Sequence, residues 1–352
     1  MINKKKLEIG VYYFPGYGSD HNEWDLVMNA KPYFSMQNQP QIPLGGCYND
    51  NSTSTIRKQI SLATKYGIDA FIFDWYWKKG KVYQDKPLKL FIQQKTKMKF
   101  ALMFSWKLSK FNLPVTPKKE HPSENDRWIK MNKKDFIKIL DYCQKNYFSK
   151  SNYWKIGSRP YFIIYYIGGF KDKLGPKKFK EMIHLAKEHF IEKGLPVPFF
   201  TGVVNDVNKV DLELDALTGY NFLPDFKSNA DIIQDYKKLS LQRQLDWQKI
   251  LDNSKKPYIP TVSLGWDATP RGVRVNKIET KLSFPWVPIV VNNTPNNFKS
   301  FLSNAINFAK NKSPNIVNIC AWNEWSEGAH LEPDTLNGYS YLNKIKELKK
   351  KK

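Results

Sequence analysis

A chain of 352 residues, 41% hydrophobic and 25% charged, can bury a large core and is not composed like a disordered protein. Its net charge of +23 raises the question of nucleic acid, but only six of the 56 basic residues are Arg: Arg57, Arg127, Arg159, Arg243, Arg271 and Arg274. Proteins that read phosphate favour Arg forks, whereas Lys is spread here along the whole chain, so no specific nucleic-acid partner is expected. Weak attraction to anionic membrane surfaces or acidic glycans stays open.

In chain order, Leu7–Tyr13 reads as a first strand and Thr53–Tyr66 as a helix stopped by Gly67. A strand over Ala70–Tyr76 precedes a short helix over Pro87–Gln94. A strand over Phe100–Ser105 precedes a helix over Lys133–Asn146. Pro160–Ile167 (strand) and Pro176–Lys193 (helix) come next, then Pro198–Val204 (strand) with little helix after it. Ala216–Tyr220 is a weak strand before a helix over Asp231–Leu251. Tyr258–Leu264 (strand), Pro295–Lys310 (helix), Asn315–Ala321 (strand) and Ser340–Lys350 (helix) complete the chain. Apolar strands such as Tyr161-Phe162-Ile163-Ile164 suit a parallel sheet covered on both faces. Eight strands alternating with helices predict a (β/α)8 TIM barrel, α/β in class, as one domain over 1–352 with a basic tail from about 346. An open doubly wound sheet would carry a Gly-rich phosphate turn after its first strand, and Tyr13-Phe14-Pro15-Gly16-Tyr17-Gly18 is not one. Pro15–Ser52 and Trp106–Lys130 are long βα loops, expected at the C-terminal rim where barrel active sites lie.

Three cysteines, Cys47, Cys143 and Cys320, form no close pair and predict neither a disulfide framework nor a zinc knuckle. No secretory leader or membrane span is read from the chain, which leads to the expectation of a soluble, cytoplasmic protein.

The predicted strand ends are rich in aromatic and carboxylate side chains: Tyr12-Tyr13, Asp74-Trp75-Tyr76-Trp77, Ser105-Trp106, Tyr165-Tyr166, Asn205-Asp206, Tyr220-Asn221, Gly265-Trp266-Asp267 and Trp322-Asn323-Glu324-Trp325-Ser326-Glu327. A barrel brings these onto one rim, and flat rings beside acids suit sugar cleavage. Glu324 and Glu327 follow the last strand in a Trp-rich turn. Glycoside chemistry uses two carboxyl groups, one kept protonated by burial.

The segment NICAWNEWSEGAHLEPD (318–334) resembles the C-terminal signature of the WbsX-like, or glycoside hydrolase family 99-like, proteins. VYYFPGYGSDHNEW, KYGIDAFIFDWYW, NYWKIGSRPY and VSLGWDATPR agree in order, so the resemblance spans nearly the whole chain. It implies a (β/α)8 barrel acting on an oligosaccharide or polysaccharide. By similarity to the retaining endo-α-mannosidases of family 99, Glu324 is the base toward the sugar 2-hydroxyl and Glu327 the acid/base. A glycosyltransferase of surface-polysaccharide assembly is the alternative, since WbsX-like proteins carry that label. Against it, the chain has no Asp-x-Asp for a metal-bound nucleotide sugar.

Asp74 is a candidate for orienting a glutamate or binding a hydroxyl, and equally a buried structural acid. Trp75, Trp77, Trp106, Trp266 and Trp322 are candidate stacking platforms or core; Tyr13 and Tyr165 are candidate partners of a glutamate or sugar. Asn323 and Trp325 complete the candidate substrate-binding set through their place in the motif. His21 and His330 lie near these loops and read as capping or packing residues. Glu332 and Asp334 are expected to cap or orient the loop after the motif. No metal or other cofactor is expected, because cleavage by two carboxylates needs none.

Overall fold

The structure, a computed structural model, describes residues 6–18, 23–78, 80–107, 113–117, 129, 131–204 and 212–350. Nine strands of an 11-stranded sheet form its parallel path in the order of the chain: β1 (Glu8–Tyr13), β2 (Ala70–Lys78), β3 (Lys99–Ser105), β4 (Arg159–Ile164), β5 (Phe199–Val203), β6 (Ala216–Thr218), β7 (Tyr258–Ile259), β8 (Thr261–Ser263) and β9 (Ile316–Cys320). All neighbours pair in parallel. β7 and β8 are one strand path interrupted at Pro260, which has no N–H to donate. The first half pairs with β6 and the second with β9, and the Pro260 carbonyl accepts from Asn318 N at 3.0 Å. The ring thus closes with eight strand positions, as the alternation of elements predicts.

The helices are α1 (Glu23–Met28), which packs on the turns at the strand ends, and α2 (Thr53–Lys65), α3 (Lys86–Ile92), α4 (Lys133–Cys143), α5 (Ile167–Leu174), α6 (Pro176–Glu192), α7 (Tyr236–Ser254), α8 (Pro295–Lys312) and α9 (Ser340–Lys350). Their starts have local causes. Asn132 and Asp135 cap α4 reciprocally at 3.0 and 3.2 Å, and Asp235 caps α7 through Lys238 N at 3.0 Å.

Several boundaries differ from expectation. The predicted helix over Asp231–Leu251 starts instead at Tyr236, because Ile233–Asp235 pairs as a strand with Ile289–Val291. The strand expected to reach Ile167 ends at Ile164; Tyr166 takes a left-handed φ of 48° and opens α5. Part of the long segment 15–52 is helical, as α1.

Alternation sorts each strand. On β1, Ile9, Val11 and Tyr13 join the layer between barrel and helices, while Tyr12 faces the interior with Ile72, Met103, Tyr161, Ile163 and Ile259. Asn318 sits at the centre, donating to Thr218 Oγ1 at 3.1 Å and Tyr161 Oη at 3.3 Å. Trp154 fills the interior toward the start of β1, donating from Nε1 to Glu8 Oε2 at 3.0 Å. Gly10 exists to make room for that indole: a Cβ there would lie 2.5 Å from its ring. Gly10→Ala is therefore expected to lower stability by about 1–3 kcal/mol in urea unfolding, since Trp154 has nowhere to move.

Candidate active site

The peptide after β9 turns back on itself. Asn323–Glu324 pairs antiparallel with Ala329–His330, and Trp325–Glu327 forms a single 3-10 turn between them. Gly328 closes it at φ +64°, and a Cβ there would lie 2.9 Å from Asp267 N. Glycine is thus required both for the turn and for the approach of the loop after β8. Asp267 N donates to the Glu327 carbonyl at 2.8 Å, which joins the two loops. Asn323 fixes the loop after β1, accepting from Phe14 N and donating to Phe14 O, each at 2.9 Å. From beneath, Glu332 accepts from Trp322 Nε1 (2.9 Å), Trp325 Nε1 (3.0 Å), Gln59 Nε2 (2.7 Å) and Tyr48 Oη (2.5 Å). Burial pushes the Glu332 carboxyl up to about 7 despite these donors. Trp325 stacks on His330 at 3.7 Å, and Asp334 accepts from His330 Nε2 at 3.1 Å in one tautomer.

On this scaffold Glu324 and Glu327 face one cation. Arg271, from the turn Thr269–Arg271 after β8, donates through Nη2 to Glu324 Oε2 at 3.2 Å and through Nη1 to Glu327 Oε1. Its Nε donates to Ser326 Oγ at 2.9 Å, and Ser326 donates to Glu23 Oε2 at 2.5 Å. Arg271 Nη2 also lies 3.9 Å from Glu23. Burial, then the charge of Glu327, raises the Glu324 carboxyl; Arg271 opposes this. Burial likewise raises Glu327, again against Arg271. The guanidinium is itself penalised by burial, but Glu327, Glu23 and Glu324 more than compensate and keep it charged.

Opposite Arg271, Tyr220 Oη lies 2.8 Å from Glu324 Oε1 and 3.2 Å from Asp74 Oδ2. Asp74 is 7% exposed, and burial followed by the Glu324 charge raises its carboxyl well above the ordinary range. The Tyr165 ring packs edge-on against Tyr220 at 5.6 Å, and burial, then Glu327, raises its phenol. Tyr76 also borders the site: burial, then Asp74 and Glu324, raises its phenol.

Of the candidate residues, Glu324, Glu327, Asp74 and Tyr165 are thus brought together. The others make the following contacts. Tyr13 faces α2 and donates to Gln59 Oε1 at 2.9 Å. Trp75 and Trp77 stack on each other at 5.7 Å, on the helix side, with Tyr142 beside both. Trp106 stacks on Phe170 at 4.0 Å, Trp266 packs on Phe226 at 5.4 Å, and Trp322 packs on Phe71 at 5.1 Å. Asn323 and Trp325 anchor the loop that carries Glu324 and Glu327, through Phe14 and Glu332. The strand end Asn205-Asp206 and His21 lie outside the described residues.

Arg271, Tyr220, Tyr76 and Glu23 were not assigned from sequence. Tyr76 was legible by parity, two residues beyond Asp74 on the same strand. Arg271 carried a fainter signal: an Arg in a chain that otherwise uses Lys, inside a matching motif. Among the described residues no group of three or more His, Cys, Asp or Glu is placed to hold a metal, and no helix is long and apolar enough to cross a membrane.

A parallel barrel with two carboxyls paired on one Arg beyond its last strand defines a class of enzyme scaffold, and the comparisons place the chain within it. Residues 15–345 match the family described as Glycosyltransferase WbsX, and the chain belongs to that carbohydrate-active family. Two curated relatives, each an uncharacterized protein WxcX from a strain of Xanthomonas campestris pv. campestris, are 23% and 24% identical over 93% of this chain. The chain spans 46% of their length, about half. Among solved structures, the GH99 endo-α-mannosidase from Bacteroides thetaiotaomicron superposes with a TM-score of 0.64 at 15% identity, covering 98% of this chain and 97% of that one. A glycoside hydrolase-like protein gives a TM-score of 0.64 at 16% identity, covering 99% and 95%. Both likenesses establish the shared barrel fold.

Proposed function

We propose that this chain is a retaining glycoside hydrolase in which Glu324 activates a sugar 2-hydroxyl and Glu327 is the acid/base. The observation that carries this reading is the pair of carboxyls, Glu324 buried and Glu327 largely so, three residues apart on one turn and sharing a single guanidinium. Burial and mutual repulsion favour retaining a proton on the pair, and Arg271 offsets the remaining charge, so the two titrate as a unit. In the first step Glu324 takes the 2-hydroxyl proton, O2 bonds to C1, and the C1–O glycosidic bond breaks. Glu327 gives its proton to the departing oxygen. In the second step Glu327 takes a proton from water, whose oxygen bonds to C1; the C1–O2 bond breaks and Glu324 returns its proton to O2. The Arg271 contact favours the Glu327 carboxylate, so proton donation requires the guanidinium to relax toward Glu324 when glycan enters.

This route needs O2 and the leaving oxygen on opposite faces of the ring and in line across C1; α-mannosides present both axially in their stable chair, whereas β-glucosides and β-galactosides, also 1,2-trans, must first invert the ring. The mannosidase named above has the same fold, which supports the reading without fixing the sugar. The family's printed description favours a second reading, a glycosyltransferase, and the greater length of the curated relatives leaves room for a further activity in them. A glycan-library cleavage screen run beside a nucleotide-sugar donor panel separates the two. Release of reducing sugar without any nucleotide is expected. Transfer only when a nucleotide donor is present would overturn the hydrolase reading.

A further inference from the structure

Tyr220 is in contact with two carboxyl groups but owns one hydroxyl proton. The shorter contact, 2.8 Å to Glu324 Oε1, takes that proton. The 3.2 Å contact with Asp74 Oδ2 is then either two oxygens facing each other without a proton, or a hydrogen bond whose proton comes from Asp74. Two features decide between them. Asp74 has no ion pair among the described residues, and its Oδ1 is buried without a hydrogen-bond partner there, an arrangement that a buried carboxylate tolerates poorly. Arg271, the cation of the site, is engaged with Glu324, Glu327 and Ser326.

We propose that Asp74 is a positioning residue that stays protonated at neutral pH and donates to Tyr220, so that Tyr220 commits its own proton to Glu324. The chain of donors runs Asp74 to Tyr220 to Glu324, with Arg271 on the far oxygen of Glu324. Glu324 is thereby supplied with two donors, and Asp74 adds no anion to the Glu327 and Glu23 already near it, an environment that helps a base remain a carboxylate among other acids. The inference rests on the proposed role of Glu324 as base. Asp74 is faced by Glu324 and Glu327 from the loop after β9, by Tyr76 on its own strand, by Tyr165 after β4, by Tyr220 after β6 and by Cys320 of β9. None of these is a cation. Glu324 is faced in addition by Arg271 and Glu23. Burial as the largest cause of the raised Asp74 carboxyl agrees with the proton count.

Two variants and two readouts test this. Asp74→Asn keeps an N–H donor toward Tyr220, whereas Asp74→Leu removes it. If Asp74 is a neutral donor, Asp74→Asn holds kcat/KM within about fivefold and leaves the acidic limb of its pH profile in place. Asp74→Leu moves that limb up by about one to two pH units, as the loss of a hydrogen bond supporting a charged group requires. If Asp74 is instead an anion, Asp74→Asn removes a negative neighbour and moves the limb down, which overturns the proposal. The second readout needs no catalysis: the infrared difference between the unmodified protein and Asp74→Asn at neutral pH. Loss of a protonated-carboxyl C=O band is expected; loss of a carboxylate band overturns the assignment. Absence of glycosidase activity in the unmodified protein would strike the catalytic reading while leaving this infrared result to stand or fall by itself.

Discussion

Glu324→Gln is expected to lower kcat/KM by about 10²- to 10⁴-fold on every substrate the enzyme cleaves, the range ordinary for removing a positioned acid or base. The amide is isosteric and still accepts from Tyr220 Oη, so the loop should hold its shape. What it cannot do is take the proton of a 2-hydroxyl, which the proposed first step needs whatever the leaving group. Glu327→Gln is expected to behave differently. Its loss should be of similar size with an alkyl or sugar leaving group, which departs as a strong base unless protonated. With a phenolate leaving group that needs little protonation, the loss on bond cleavage should shrink toward about tenfold or less. Equal losses for both variants on both substrates would refute the division of roles. Near-normal activity in either variant would remove the pair from the chemistry. Steady-state kinetics on a matched alkyl and aryl pair read all of these outcomes.

The second large effect concerns Arg271→Met. Methionine fills much of the same volume but leaves Glu23, Glu324 and Glu327 without their one ion-pair partner among the described residues. Breaking one side of a buried ion pair costs about 3–5 kcal/mol, because the partner charge stays buried and uncompensated. The pH dependence has a definite sign. Glu324 and Glu327 are already raised above their ordinary values, chiefly by burial, and Arg271 opposes the rise. Without it their folded-state values rise further while the unfolded values, about 4.3, do not change. Carboxyls raised in the folded state penalise folding as pH climbs through the interval between unfolded and folded values. The deficit of Arg271→Met should therefore be small near about pH 4 and grow toward about pH 8. Urea unfolding at several pH values checks this. A deficit that is constant with pH, or that shrinks as pH rises, would show that Arg271 contributes packing and not charge compensation.

The barrel was legible because each strand-and-helix repeat announces itself through apolar runs, capping residues and Gly stops. The weak strand read over Ala216–Tyr220 is the three-residue β6, and the strand read as Tyr258–Leu264 is one path that Pro260 divides into halves pairing with β6 and β9. Glu324 and Glu327 were legible by position after the last strand. For Trp75 and Trp77, read as stacking platforms or core, the deciding feature is parity. Trp75 and Trp77 share the side of β2 that carries Phe71 and Phe73, toward the helices, while Asp74 and Tyr76 point into the site. Counting by twos along β2 separates them; grouping them by residue type does not. Arg271 and Glu23 were hidden for another reason. They come from separate loops, 248 residues apart in number, and only the tertiary meeting through Ser326 gives them a shared role. A carboxylate cluster organised by a distant Arg leaves no local pattern.

The central claim is that Glu324 acts on the 2-hydroxyl of the sugar whose bond is cut. Once a cleaved glycan is found, its rate is to be compared with that of the same glycan carrying a methyl ether at that 2-position, with binding of both measured on Glu327→Gln. The ether has no proton to surrender and no nucleophilic O2 to close an anhydro ring. The expected result is that the ether still binds but is cleaved at least about 10³-fold more slowly than the free alcohol. Cleavage of the bound ether at a rate near that of the alcohol would mean that O2 takes no part, and that Glu324 is not its base.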